Sequence, residues 1–120
     1  MSISRTRFDI VTDTGGDFID TGPPMMGLIT QVAFTKNTLT ASTDFKLECI
    51  NSGVTILDWN TDAANNWSRI PKVEAYDTGG TATGETSFFS IAGDRLRLTV
   101  NQSATDTGVK SGTLYVWCGE

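Results

Sequence analysis

Arg95-Leu96-Arg97-Leu98-Thr99-Val100 alternates without a break between polar and apolar residues. An extended chain turns successive side chains to opposite faces, so Leu96, Leu98 and Val100 share one side and Arg95, Arg97 and Thr99 the other. That is a β-strand with one dry face and one wet face. Ala92-Gly93-Asp94, just before it, reads as a tight turn.

The same period of two recurs on either side. Residues 5–12 read as a first strand, with Phe8 and Ile10 on one face. In 27–36, Leu28, Thr30, Val32 and Phe34 are assigned to one side and Ile29, Gln31, Ala33 and Thr35 to the other. Phe45, Leu47 and Cys49 alternate with Lys46, Glu48 and Ile50. Asn51-Ser52-Gly53 turns the chain, and 54–59 returns as the partner of a hairpin. Residues 67–73 carry Pro71, which suits an edge strand or an extended link. Phe88, Phe89 and Ile91 form a short apolar strand. In 113–118 both faces are apolar, Leu114, Val116 and Cys118 opposite Tyr115 and Trp117, so burial is expected on both sides.

Between these segments lie loops. Residues 14–26 contain Gly-Gly, Gly-Pro and Pro-Pro and read as a long loop or arm. Residues 60–66 have room for one helical turn, and 77–85 and 101–111 read as polar loops. No stretch carries a helical stripe. The expectation is an all-β chain: an antiparallel β-sandwich of jelly-roll type with about eight short strands. Residues 1–26 would be an N-terminal strand and extended arm, and 27–120 the sandwich domain.

Composition narrows the chemistry. The 120 residues carry a net charge of −5, and Lys and Arg do not cluster, which argues against nucleic acid as a partner. Histidine is absent, which removes His-based triads, Cys–His dyads and the commonest metal ligand from a single chain. No apolar run approaches the ~20 residues that span a bilayer, and the first residues lack a signal-peptide core. No membrane partner and synthesis in a cytoplasm without export are therefore expected. Cys49 and Cys118 both lie on apolar strand faces and read as buried thiols in a reducing compartment.

Four Asp-Thr-Gly triplets begin at Asp13, Asp20, Asp77 and Asp106. Retroviral-type aspartic proteases use this triplet, one carboxylate from each of two subunits activating water. Asp and Thr also bond to neighbouring backbone while Gly takes positive φ, and four copies in loops fit turn chemistry better. Asp13, Asp17 and Asp20 crowd together as calcium ligands would, but without the spacing of an EF-hand loop. No catalytic, cofactor or metal residue is assigned, and no enzyme activity is expected.

Two groups remain as binding candidates. Pro23-Pro24-Met25-Met26 would be an extended arm ending in two adaptable apolar side chains. Tyr115 and Trp117 share the second apolar face of the last strand, which suits a second packing layer or a subunit contact. With Trp59, Trp67 and Tyr76 they also supply flat rings of the kind that stack on sugars.

The chain resembles the short head decoration, or capsid cement, proteins of tailed bacteriophages. The residues that carry the likeness are Gly27-Leu28-Ile29-Thr30-Gln31-Val32-Ala33-Phe34, Asp44-Phe45-Lys46-Leu47, Gly53 with 54–57, Arg69-Ile70-Pro71, Gly93 to Val100, and Ser111-Gly112-Thr113-Leu114-Tyr115-Val116. The resemblance implies a jelly-roll structural protein on the outer capsid surface of the virion, made in the host bacterial cytoplasm. Its partners would be the major capsid protein and itself, as a homodimer or homotrimer. The competing expectation is a carbohydrate-binding β-sandwich module of a phage tail or fibre.

Overall fold

In the computed structural model, residues 3–59, 63, 65–76, 78–102 and 108–119 are described, without the side chains of Ala75 and Tyr76. They contain nine strands and no helix. The strands are β1 (Ile3–Val11), β2 (Asp17–Thr35), β3 (Asp44–Cys49), β4 (Thr55–Trp59), β5 (Trp67–Arg69), β6 (Lys72–Tyr76), β7 (Ala82–Phe88), β8 (Ser90–Asn101) and β9 (Ser111–Gly119). All pairings are antiparallel. The main sheet runs β1-β9-β2-β8-β3-β4, with β5 beside β2; β6 and β7 pair separately.

The sheet becomes a sandwich because β2 belongs to both layers. Its first part, Asp17 to Leu28, pairs with β8, whose other neighbour is β3. Its last part, Leu28 to Thr35, pairs with β9 and β5. Nested pairing of β1 with β9 and β2 with β8 ties the start of the chain to its end. The chain is thus the antiparallel β-sandwich expected from its alternation.

The dry faces meet where the alternation placed them. Leu96, Leu98 and Val100 of β8, Phe45 and Leu47 of β3, Leu114 and Val116 of β9, and Phe8 and Ile10 of β1 are at most 2% exposed. Phe34 and Trp67 from one layer meet Phe45 and Trp59 from the other in a ring of four aromatics (centroid separations 4.9–5.5 Å). This cluster joins β4 and β5, which share no backbone ladder, by side-chain packing alone.

Four local expectations are corrected. Residues 17–26 are not a loop or arm but the first half of β2, so a boundary after residue 26 cuts through a strand. This half pairs only with β8 among the described residues, so the missing N–H groups of Pro23 and Pro24 cost little ladder. A register shift between Thr21 and Pro24 absorbs the Gly22-Pro23 irregularity. Any Cβ at Gly22 would lie 3.0 Å from Thr6 Cγ2 and 3.4 Å from Phe8 Cζ, so glycine lets β1 close over β2.

Gly93 is not a tight turn between strands but a bulge inside the continuous β8, with φ of 77° and a register shift opposite Met25 and Met26. The faces of β2 are also not constant. A shift between Ile29 and Gln31 makes Thr30 the extra residue. Ile29 is therefore buried together with Val32 and Phe34, while Leu28 faces out at 41% exposure.

The loop expected at 77–85 is partly strand, since β7 begins at Ala82. Asp77, most of 60–66 and residues 103–107 lie outside the described residues. Pro71 separates β5, an edge strand on β2, from β6, as an extended link.

Candidate functional site: the outer face of β1, β9 and β2

The outward side chains of β9 stand in register with those of two neighbours. Trp117 is flanked by Arg5 of β1 and Gln31 of β2, and Tyr115 by Arg7 and Ala33. One row further, Gly119 lies between Ile3 and Leu28. The Thr30 bulge brings Leu28 onto this face, and the unbroken alternation of β1 brings Ile3, Arg5 and Arg7.

The result is an aromatic pair framed by cations and aliphatic side chains. The rings of Tyr115 and Trp117 are 5.7 Å apart with planes tilted by 32°. The Arg5 guanidinium lies 4.7 Å from the Tyr115 centroid and that of Arg7 5.7 Å. A cation over a ring face is attracted to the π-quadrupole, and that holds a long side chain in place. Arg7 also bonds Asp9 through Nε at 2.6 Å. Gln31 Nε2 donates to Ser68 Oγ, which ties β5 to the edge of the face. Tyr115 and Trp117 remain half-exposed, while Ile3 is 64% exposed.

Shallow depressions of about 400, 280 and 240 Å³ lie elsewhere, beside Asn37 and Asn66, beside Asp17 and Ile19, and between Asp44 and Asp58. Neither Tyr115 nor Trp117 lines any of them. The face is a platform set apart from these three depressions. Its chemistry is contact and stacking.

The sequence candidates separate in space. Tyr115 and Trp117 lie together on the platform. Pro23, Pro24 and Met26 are exposed on the first half of β2, but Met25 is buried. The Thr6 hydroxyl lies 3.3 Å from the Met25 sulfur, so Met25 belongs to the core. Trp59 is 6% exposed and Trp67 half-buried, both within the aromatic ring of the core. They do not extend the platform. The side chain of Tyr76 lies outside the described residues.

The Asp13-Thr14-Gly15 triplet behaves as turn chemistry. Asp13 Oδ1 accepts from the backbone N–H groups of Gly15 and Asp17, and Asp20 Oδ1 accepts from that of Thr21. Asp20-Thr21-Gly22 sits in β2 and not in a loop. Asp77 and Asp106 lie outside the described residues. Among the described residues no three His, Cys, Asp or Glu side chains gather as a metal site would require. Both cysteines are buried as thiols. Burial pushes the Cys49 thiol up, and Cys118 Sγ donates to the Met26 carbonyl at 3.2 Å.

Arg5, Arg7, Ile3 and Leu28 are the residues of the platform that sequence reasoning left out. The alternation of β1 carried a signal for the first three, since Phe8 and Ile10 facing inward force the odd positions outward.

No family model and no curated protein matches this chain. Among solved structures, a crystal structure of FLHE is similar over 100% of both chains, at 14% identity and a TM-score of 0.41. A likeness at that level carries no functional implication.

Proposed function

We propose that this chain is a structural virion protein that binds the outer surface of a tailed-phage capsid and stabilises it, with the Tyr115–Trp117 platform as its footprint. The supporting observation is the platform itself: two aromatic side chains and two arginines, held by one another on a rigid sheet, with Ile3 and Leu28 beside them. Tyr, Trp and Arg are the residue types that concentrate binding energy at protein interfaces. Rings already fixed by neighbours lose little conformational entropy on docking. Many copies on one shell would turn a moderate contact into durable clamping by high local concentration. Exposed Pro23, Pro24 and Met26 would supply a secondary contact, with Met25 held back in the core.

Capsids assembled without the protein provide the test. The wild-type chain is expected to bind them, while Trp117→Ala and the exposed change Leu28→Asp each weaken binding by about tenfold or more. Wild-type affinity in both variants would overturn the footprint, and failure of the wild-type chain to bind would overturn the reading.

A second reading draws on the same rings. Two tilted aromatics 5.7 Å apart on a flat face suit stacking on a sugar ring. Tryptophan fluorescence that responds to polysaccharide in the wild type and not in Trp117→Ala, without capsid binding, would favour a carbohydrate-binding module of a phage tail or fibre.

A further inference from the structure

β1 ends the main sheet. Its ladder is with β9 alone among the described residues, and it runs from Ile3–Gly119 to Val11–Ser111 without a register shift. The strand contains no proline, glycine or lysine. Natural edge strands are blunted by such residues, by bulges or by shortness, because an open edge invites another strand. The other edges of this sheet show those devices. β4 has five residues and a register shift against β3, and β5 has three residues with Pro71 close behind. β1 has nine residues and none of these breaks.

The Thr12 N–H donates to the Lys110 carbonyl at 2.9 Å, one step beyond the Val11–Ser111 pair. Bonded and non-bonded pairs alternate along an antiparallel ladder. The even positions of β1 therefore bond to β9, and the odd positions turn their N–H and C=O groups toward the open edge. Those odd positions, Ile3, Arg5, Arg7, Asp9 and Val11, are all exposed. Ile3 is 64% exposed and Val11 58%, a large apolar side chain at each end of the strand. Set antiparallel to itself, this row is complementary: apolar meets apolar at the ends, Arg5 meets Asp9, and Arg7 falls at the centre.

We propose that two copies of this chain join edge to edge through β1, antiparallel across a two-fold axis at Arg7, with Arg5 of each copy opposite Asp9 of the other and Ile3 opposite Val11. Backbone hydrogen bonds from the odd positions supply the adhesion, and the opposite charges select the register. Only odd–odd pairing uses the open groups, so the ladder slips in steps of two. One step sets Arg5 against Arg7 and Ile3 against Asp9. The other sets Arg5 against Val11 and leaves Ile3 beyond the ladder. At the axis Arg7 meets its own copy, and each guanidinium is already bonded to Asp9 of its own strand at 2.6 Å. The same patch serves both copies, so the contact closes as a dimer. An axis normal to the sheet turns both Tyr115–Trp117 platforms to the same side, three strand spacings or about 14 Å between one β9 and the other. The dimer thus presents a paired footprint, but it forms without any partner for that face.

The test is light scattering on the full chain, with a cross-link to read the register. The wild type is expected to be dimeric. Arg5→Asp and Asp9→Arg, both at exposed positions, should each weaken self-association by about tenfold or more, since each sets like charges together twice per dimer. The double variant Arg5→Asp/Asp9→Arg should restore it. Across the axis the two Arg7 positions lie about 5.5 Å apart at Cα, within reach of a disulfide. Arg7→Cys should therefore give a covalent dimer on mild oxidation. Arg5→Cys should not, because its two copies sit four residues apart along the strands, about 14 Å. The native Cys49 and Cys118 are buried and serve as the background. A wild type that stays monomeric at every concentration overturns the proposal. So do single charge variants that associate unchanged, a swap that restores nothing, or Arg5→Cys linking as readily as Arg7→Cys. No capsid enters this experiment, so its failure is separate from a failure of the platform reading.

Discussion

Phe45 of β3 stacks on Trp59 of β4, ring centroids 4.9 Å apart and planes within 12° of parallel. Trp67 meets Trp59 edge-on at 5.1 Å, and Phe34 meets Phe45 likewise at 5.0 Å. These four rings bridge the layers where the backbone does not. Truncation of Trp59 to Ala should therefore cost about 3–5 kcal/mol of stability in urea unfolding, as expected for a large aromatic removed from a core. Trp67→Ala should also lower the unfolding midpoint, with no effect on sugar binding beyond that loss. Unchanged stability in both variants would contradict the bridging role.

Met25 and Met26 are neighbours with opposite fates. Met25 is 5% exposed beneath Thr6, and Met26 is 56% exposed. Met25→Ala should destabilise by about 2–5 kcal/mol. Met26→Ala should fall within about 0.5 kcal/mol of wild type, as surface changes do. Thermal unfolding of the two variants side by side decides this; equal effects would mean that the register of β2 is different.

Gln102 holds four segments at one end of the sandwich. Its backbone N–H donates to the Gly16 carbonyl, and its Nε2 donates to Thr12 Oγ1 and to the Gly108 carbonyl. Its Oε1 accepts from the Thr40 hydroxyl. Thr12 in turn donates to the Gly108 carbonyl at 2.8 Å and accepts from the Lys110 N–H at 2.8 Å. Gln102→Leu removes the amide and leaves buried partners unsatisfied, at a cost of about 1–3 kcal/mol. The denaturant midpoint should fall with an unchanged m-value; a neutral result would show that water replaces the network.

Acid should weaken the fold through two carboxylates. Arg97 donates from Nε and Nη2 to Glu48 Oε1, and this hydrogen bonding holds Glu48 below its ordinary range. Backbone N–H groups, that of Asn51 first, do the same for Asp94. A carboxylate whose folded pKa is depressed contributes stability above its unfolded pKa and loses it as pH falls through the folded one. Stability should thus decline from about pH 5 downward. Glu48→Gln should cost stability near neutrality and little at the acid end, which urea midpoints across the range will read. A constant gap between variant and wild type would refute the linkage.

Side-chain alternation made the strands legible wherever one face had to be dry, as in 95–100, 45–49 and 114–118. It left two things unread. Gly22-Pro23-Pro24 reads as a break because proline lacks a ladder donor, yet β2 continues through it, paired with β8 alone among the described residues. The Thr30 bulge exchanges the faces of β2, and a single inserted residue leaves no mark in composition. Tyr115 and Trp117 were legible as a second apolar face. Arg5 and Leu28 joined them only through pairing with residues about ninety or more positions away.

The sequence by itself determined the class of this protein, because a period of two and the absence of a helical stripe allow only sheets to bury the apolar residues. It also set the limits of its chemistry, since a chain without histidine has few groups that titrate near neutrality. Only the tertiary structure decided which residues share a surface. Register across strands distant in sequence depends on bulges and on the closing of two layers, and these arise from packing among many residues and not from any local pattern.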